Sequence, residues 1–558
     1  MTQSRWAIAA ALAALVALGF YTLPGHSFLW SDTQIYIPIL ERFWDATLYP
    51  ADSVATRPHV TYSIYDEAAL ALRWLTGAGS FEGVLVAQQL ATRFCGLLGV
   101  YLLARAAQLP PLLALLAPVL YGMGATVAGP AVLTLEYEPV PRGNAICLVV
   151  LAAGLAAHRR LTAAAALLGV AWLYHPPTTW PFLAVFGLLL GANARRDGAG
   201  ALRPLLLFSG FVGASLLLSR LQMGETEKQA LFLRIDAALA KLQQLRGSYN
   251  WVSLWGDAYV RQHEFLALFI LAAVARWRQR FPREMLWLAV GLPLVGILSL
   301  PLSYSLLEGL HWSLIPAFQP ARASAFLFVF GSVLSVISGV LAARDGRVWE
   351  SAAWLAVGFA LPAHTPVMDV LLPDFRSALI AKRWAIVAGA SVLTAWGVYA
   401  HAKGQTARAG LMVAALLPYW LLPTWGAVVN YRVVDTPEVR EVSDWARRNT
   451  PKDSMFLFAD GGKDPAASIF RARSLRAVYV DWKGGGQVNL LKDFALEWWE
   501  RWSNVMEPGY APERVPEYAA RGIDYLVLTK ANRIRDRAPS FENGRFVVYV
   551  IRRGGSGS

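Results

Sequence analysis

The sequence predicts a polytopic α-helical membrane protein with a small α/β domain at its C-terminal end. Three observations lead there. Hydrophobic residues make up 56% of the 558 residues and charged residues only 16%, too little polar surface to cover a soluble protein of this size. Uncharged runs recur along most of the chain, at lengths that fit bilayer spans of roughly 20 residues. Beyond about residue 431 the pattern changes to short apolar strands between charged helical segments, the signature of an α/β unit.

In chain order, the expected spans are 6–22, 82–104, 110–128, 143–157, 161–174, 179–194, 204–219, 263–276, 284–302, 323–342, 349–362, 384–400 and 409–426, about 13 transmembrane helices. The first run follows Arg5. The LPGHSF after it is a poor small-residue cleavage site, so the run is kept as a span rather than a removed signal. Alternate connections carry the basic residues: Arg5, Arg105, HRR at 158–160, RR at 195–196, RWRQR at 276–280, Arg344 with Arg347, and Lys403 with Arg408. Lys and Arg mark cytoplasmic loops, which puts the N-terminus inside. The remaining connections are then outside: the long loop 23–81, EYEPVPR near 136–142, HPPTT at 175–179, and the loops 220–262, 306–322 and 363–383. An odd span count places the C-terminal domain outside as well.

The net charge of +13 does not signal nucleic acid, because the basic residues are scattered between apolar runs and form no soluble basic face. Cys95 and Cys147 both lie in apolar runs and make neither a disulfide framework nor a metal pattern.

The first outer loop opens with FLWSDTQIYIPILERFWDATLYPADSV. Ser31 and Gln34 have the spacing of a capping box. The helix that follows has Tyr36, Ile39, Leu40, Phe43, Trp44 and Leu48 on one side and Glu41, Arg42 and Asp45 on the other. That period of about 3.6 predicts an amphipathic helix lying along the outer membrane surface, with Asp32 at its entrance. In the C-terminal domain, Thr436-Pro437-Glu438 reads as a hydroxyl-capped helix start. SMFLFA, RAVYVDW, IDYLVLT and RFVVYVI read as strands. The division expected is 1–430 membrane domain, 431–553 α/β domain and 554–558 flexible tail.

Three outer loops present chemistry-bearing groups. The first holds Asp32, Asp52, Arg57, His59, Asp66 and Glu67; the second holds Glu136, Glu138 and Arg142; the third holds His175. Arg322 joins them from FQPAR. Carboxylates and cations at one membrane surface suit proton abstraction, phosphate recognition and divalent-metal binding. Each also has a plainer role: Asp32 as a first-turn acid facing a helix dipole, Glu136 or Glu138 as the ion-pair partner of Arg142, and His175 and Arg322 as interfacial groups.

This layout resembles the GT-C superfamily of membrane glycosyltransferases: a first span, a long outer loop with an early Asp, a second acidic outer loop, further spans and an extracytoplasmic α/β domain. The motifs that carry the resemblance are SDTQIYIP, YEPVPR, HPPTT and, more loosely, WARRNTPKDSMFLF with FRARSLRAVYVDWKG, as in bacterial proteins of this broad type. The resemblance implies a polyprenyl-phosphate-linked sugar donor and inverting transfer to a glycan, lipid or protein acceptor at the outer face of the inner membrane. It implies Asp32 as catalytic base and Glu138 or Glu136 as the acid of the second loop. Arg142, His175 and Arg322 are implied as phosphate contacts, with Asp52 and Arg57 among the substrate-binding candidates. The chain lacks the WWDYG-type signature of oligosaccharyltransferases and the side-by-side acids of many mannosyltransferases. Protein N-glycosylation is therefore not implied, and a divalent cation such as Mg or Mn stays open. Other classes that fit the sequence are a glycan polymerase or ligase, a lipid-linked-sugar transporter, and a scaffold with a sensing domain.

Overall fold

The computed structural model describes residues 2–58, 63–222, 233–363, 377–406 and 408–552. His59 and the tail 554–558 lie outside the described residues. Each of the thirteen apolar runs falls on helix. Among the described residues, six helices are long and apolar enough to cross a membrane: Phe81–Ala106, Ala199–Arg220, Asp257–Arg280, Arg283–Gly309, Leu314–Arg344 and Ala378–Ala402. Five shorter apolar helices accompany them, at Arg5–Tyr21, Pro111–Gly122, Pro141–Ala157, Leu161–Tyr174 and Val348–Ala363. The chain is a multi-pass membrane protein, with six rather than thirteen helices meeting that standard. The run 110–128 shows why length fails. Its helix stops at Gly122, and a two-stranded hairpin follows, β1 (Thr126–Val127) against β2 (Val132–Leu133).

The segment Ala325–Arg344 is the central helix. All its residues up to Ala343 are buried, as expected of a helix apolar on every side. Around it the basic connections gather at one end. Arg159 pairs with Glu284 at 3.1 Å, Arg276 and Arg347 both pair with Glu350 at 3.2 Å, and His158 reaches the Leu102 carbonyl at 2.9 Å. The acidic and aromatic loops occupy the other end: Tyr65 donates to the Pro139 carbonyl at 2.7 Å, and the Ile64 amide to Leu173 at 2.8 Å. Alternation of charge along the chain has become separation of charge in space.

The C-terminal domain holds a five-stranded sheet in the order β4-β3-β5-β7-β6, formed by β3 (Met455–Phe458), β4 (Ala477–Val478), β5 (Tyr525–Thr529), β6 (Phe541–Glu542) and β7 (Phe546–Val550). β3 runs parallel to β4 and β5, while β7 is antiparallel to β5 and β6. Four strands match the apolar stretches of the sequence. The fifth, the Phe541–Glu542 pair, is too short to signal itself. The helix Pro437–Asn449 begins where Thr436-Pro437-Glu438 predicts, but the Thr436 side chain makes no cap bond.

The opening loop departs from expectation in an instructive way. Its helix, Thr33–Trp44, has its apolar faces covered by protein rather than left free for a membrane surface. Ile35 and Ile39 belong to one buried cluster with Leu457, Trp498 and Tyr549 of the C-terminal domain; Ile37 and Leu40 belong to another with Val439, Phe456 and Phe470. The run IYIPIL is apolar on both faces, and both are covered. Each of these side chains contributes about 1.5–3 kcal/mol of transfer free energy. Only the far end, Phe43 and Trp44, stays exposed. The domain is therefore built onto the first loop.

Candidate functional site

The predicted capping box at Ser31 does not form. Gln34 instead donates to the carbonyls of Leu29 and Trp30, at 2.7 and 3.0 Å, and accepts from Ser468 of the C-terminal domain at 2.7 Å. The capping acceptor comes from the second loop. Glu138 receives the amides of Trp30, Ser31 and Asp32 at 2.8–2.9 Å and the Thr33 hydroxyl at 2.6 Å. A carboxylate is the stronger acceptor for helix-entry amides. Burial, and then the charge of Asp32, push the Glu138 carboxyl above its ordinary value. With four donors, three on Oε1 and one on Oε2, Glu138 shapes the loop.

Because Glu138 takes those amides, the Asp32 side chain makes no cap bond and turns to two cations. Arg142 donates Nη1 to Asp32 Oδ2 and Nε to Glu136 Oε1, the latter at 2.7 Å. Lys483, from the C-terminal domain, donates to Asp32 Oδ1 at 2.7 Å and to Ser31 Oγ at 2.9 Å. Burial alone would raise the Asp32 carboxyl. Lys483 and Arg142 outweigh it and hold the group well below its ordinary value. The Asp32 and Lys483 side chains are 26% and 23% exposed, so solvent and solutes reach this pair.

Behind it, Arg93 anchors both loops from inside the helix Phe81–Ala106. Its Nη2 donates to the carbonyls of Gly25 and Glu136, each at 2.7 Å. This charge, anomalous in an apolar run, is a clasp that fixes the spacing of Asp32 from Glu136.

Arg322 sits in the single turn Pro320–Ser324 that precedes the central helix. It lines one cavity with Glu136, Arg142, Thr178, Pro177 and Phe326. Its guanidinium has no carboxylate or carbonyl partner among the described residues. It faces the Tyr249 ring at 5.5 Å, and its Nε is buried without a hydrogen bond. A half-buried guanidinium that lines a cavity and has no ion-pair partner among the described residues can take up an anion. The cavity itself is about 20 Å³, room for a single water. Across the hairpin β1–β2 lies a larger cleft of about 410 Å³, lined by Tyr249, Trp255, Tyr259 and Gln262. Gly129 at the hairpin tip has φ +99°, and a Cβ there would meet the Trp255 ring at 2.5 Å. Glycine therefore lets the hairpin form the cleft wall.

The remaining sequence candidates fall elsewhere. His175 joins two apolar helices and bonds Thr178 Oγ1 at 2.8 Å, next to the cavity but not among its lining residues. Asp52 is fully buried: it caps Val54 and Ala55, and its Oδ2 receives Arg471 Nε at 2.7 Å and the Val478 amide at 3.0 Å. Arg57 makes a surface ion pair with Glu497. Asp52 and Arg57 thus bind the C-terminal domain rather than line the cavity. No group of three or more His, Cys, Asp or Glu side chains that could hold a metal occurs among the described residues. With Asp32 bound to two cations, Glu136 to Arg142 and Glu138 to amides, this donor set does not fit a divalent ion.

Sequence reasoning missed Lys483, Tyr249 and the clasp role of Arg93. The Gly-rich DWKGGGQ around Lys483 was the available signal.

Comparisons with known proteins add little. A family model described as a domain of unknown function, DUF6798, matches residues 437–505. No sequence match to a curated protein is found. Two solved structures of the oligosaccharyltransferase from the archaeon Archaeoglobus fulgidus align along 94% of this chain and 69% of theirs. One is the apo form, at 13% identity; the other is AglB in complex with an inhibitory peptide and a dolichol-phosphate, at 11%. Both give a TM-score of 0.40, too low to argue from.

Proposed function

We propose that this chain is a GT-C-type membrane glycosyltransferase that moves a sugar from a polyprenyl-phosphate-type lipid donor to an acceptor at the extracytoplasmic face of the bacterial inner membrane. The observation that carries the proposal is the unpaired Arg322 guanidinium in a cavity shared with Arg142 and Glu136, one side chain away from Asp32. A carboxylate base beside an unfilled anion site is what phosphate departure from a sugar requires.

The acceptor hydroxyl oxygen bonds to the anomeric carbon while the bond from that carbon to the phosphate oxygen breaks, with inversion. The hydroxyl proton passes to Asp32. The electron pair stays on the lipid phosphate, which leaves as an anion beside Arg322 and Arg142, where cations stabilise developed charge most. Glu136 keeps Arg142 in place. The aromatic cleft across the hairpin is where the bulk of a substrate larger than one water is accommodated. In this orientation the N-terminus is cytoplasmic and the α/β domain, residues 431–553, is periplasmic. The acceptor is a glycan, lipid or protein; no nucleic acid takes part, and no step is routed through a metal.

The test is binding of undecaprenyl phosphate to the full chain in nanodiscs. Arg322→Gln is expected to weaken binding by about 10- to 100-fold, the loss of one or two charge-assisted hydrogen bonds. Equal binding by wild type and variant overturns the phosphate assignment.

A further inference from the structure

The geometry points to Lys483 as a site residue on loan: in the free protein it neutralises Asp32, and on donor binding it moves to the donor phosphate, so that the C-terminal domain itself controls when Asp32 can act as a base. This rests on the phosphate assignment above and adds a domain role to it.

Both Asp32 oxygens are engaged. Oδ2 holds Arg142, and Oδ1 holds Lys483, with the Ser31 hydroxyl at 3.3 Å. A carboxylate bound to a cation on each oxygen has little basicity, and it becomes a better base when one cation leaves. Arg142 is the poor candidate: it is 17% exposed and is held by a second carboxylate, Glu136, itself 4% exposed. Lys483 has one counter-ion only, a flexible stem and a half-exposed position. Lysine presents three donors on a rotatable chain, which suits a contact that is exchanged. The unpaired Arg322 lines a cavity with Arg142, the other cation on Asp32, and that cavity of about 20 Å³ must widen before it takes a phosphate.

The turn that carries Lys483 is built for the position. Asp481 Oδ1 accepts the Gly484 amide at 2.8 Å, and its Oδ2 holds Arg471, which in turn holds Asp52 of the first loop. That buried chain of charges fixes the lysine's backbone relative to the Asp32 loop while leaving its tip free. The glycines that follow allow the approach: a Cβ on Gly484 would meet Val54 Cγ2 at 2.9 Å, and one on Gly485 would meet the Trp498 ring at 2.4 Å. Arg471, Asp481 and Lys483 all fall within the stretch 437–505 that matches the family of unknown function. Completing the Asp32 site is thus a concrete task for that stretch here.

The experiment uses the full chain in nanodiscs with undecaprenyl phosphate as probe, comparing wild type, Lys483→Met, Lys483→Arg and Arg322→Gln. Lys483→Met is expected to weaken binding by about tenfold, with Lys483→Arg restoring most of it. If Arg322→Gln loses binding while Lys483→Met binds as wild type, the transfer of Lys483 is overturned and the phosphate site stands. If wild type and Arg322→Gln bind alike, or neither binds, the phosphate site fails and this inference with it.

Discussion

Two ionic clusters join the first loop to the C-terminal domain, and they differ in what they leave unmatched. In the first, Arg471 lies between Asp52 and Asp481, with side-chain exposures of 1%, 0% and 2%. The two carboxylates are further tied to the amides of Val54, Ala55, Val478 and Gly484. In the second, Asp32 lies between Arg142 and Lys483, and Arg142 also lines the cavity that holds the unpaired Arg322. One is a cation between two carboxylates, the other a carboxylate between two cations. The first cluster is dry and almost saturated, and can only hold. The second is reached by solvent and holds a cation, Arg322, with no ion-pair partner among the described residues, so it can exchange partners with a ligand. Unmatched charge with access, rather than an ion pair as such, distinguishes a site from a rivet.

The difference is sharpened most by removing the acid of each cluster's functional claim. Asp32→Asn is expected to lower sugar transfer by about 10²–10⁴-fold with the fold retained, measured with a panel of polyprenyl-phosphate sugars and a thermal-unfolding control. Undiminished transfer would remove Asp32 as base. In the same series, Lys483→Met is expected to move the acid limb of the pH–rate profile upward. Lys483 is one of the two cations holding the Asp32 carboxyl below its ordinary value, so losing it means protonation sets in at higher pH.

Arg471→Met attacks the other cluster. It strands two buried carboxylates, and breaking such an arrangement costs about 3–5 kcal/mol. The expected readout is early release of the C-terminal domain in limited proteolysis and thermal unfolding. Stability equal to wild type would mean that the buried cluster does not dock the domain.

A third acidic group has no ion-pair partner among the described residues. Asp66 Oδ1 and Glu67 Oε2 are buried without partners. Burial, then the charge of Glu67, push the Asp66 carboxyl up to about 8. The folded protein therefore keeps a proton that the unfolded chain loses near pH 4, so the native state binds more protons in that interval and stability falls as pH rises from about 4 through 8. Asp66→Asn is expected to flatten that slope in unfolding measured across the interval. An unchanged slope would place the titration elsewhere.

The smallest effect belongs to the exposed pair. Arg57→Gln breaks a contact between side chains 39% and 28% exposed, and is expected to change stability by under about 1 kcal/mol. A larger loss would make the surface of the docking interface as important as its buried chain.

Part of the site was legible in the sequence. Asp32 and Glu136 both pair with Arg142, and Arg322 shares a cavity with Glu136 and Arg142, so residues of three separate connections come together. The roles were less legible. Glu138 differs from Glu136 by two positions, yet one wraps a helix entrance and the other holds Arg142; which carboxylate meets which donor depends on a loop path with no period to read. Asp52 looks as available as Asp32 in the sequence but is covered completely by β4 and Arg471. Lys483 is 451 residues from its partner, and a lysine in a charged soluble domain carries no local mark.

What the sequence by itself determined is the membrane character, the placing of helices on the apolar runs, the strands at four apolar stretches, and the sorting of basic connections from acidic ones. These follow from hydropathy and charge, which are local and nearly additive along a chain. Only the tertiary structure decided that the opening helix is buried on both faces, that Glu138 is occupied while Asp32 is reachable, and that a lysine of the C-terminal domain sits on that acid. Those outcomes depend on two distant surfaces docking in one register, and buried polar groups must then find whichever partners that register brings within hydrogen-bond reach.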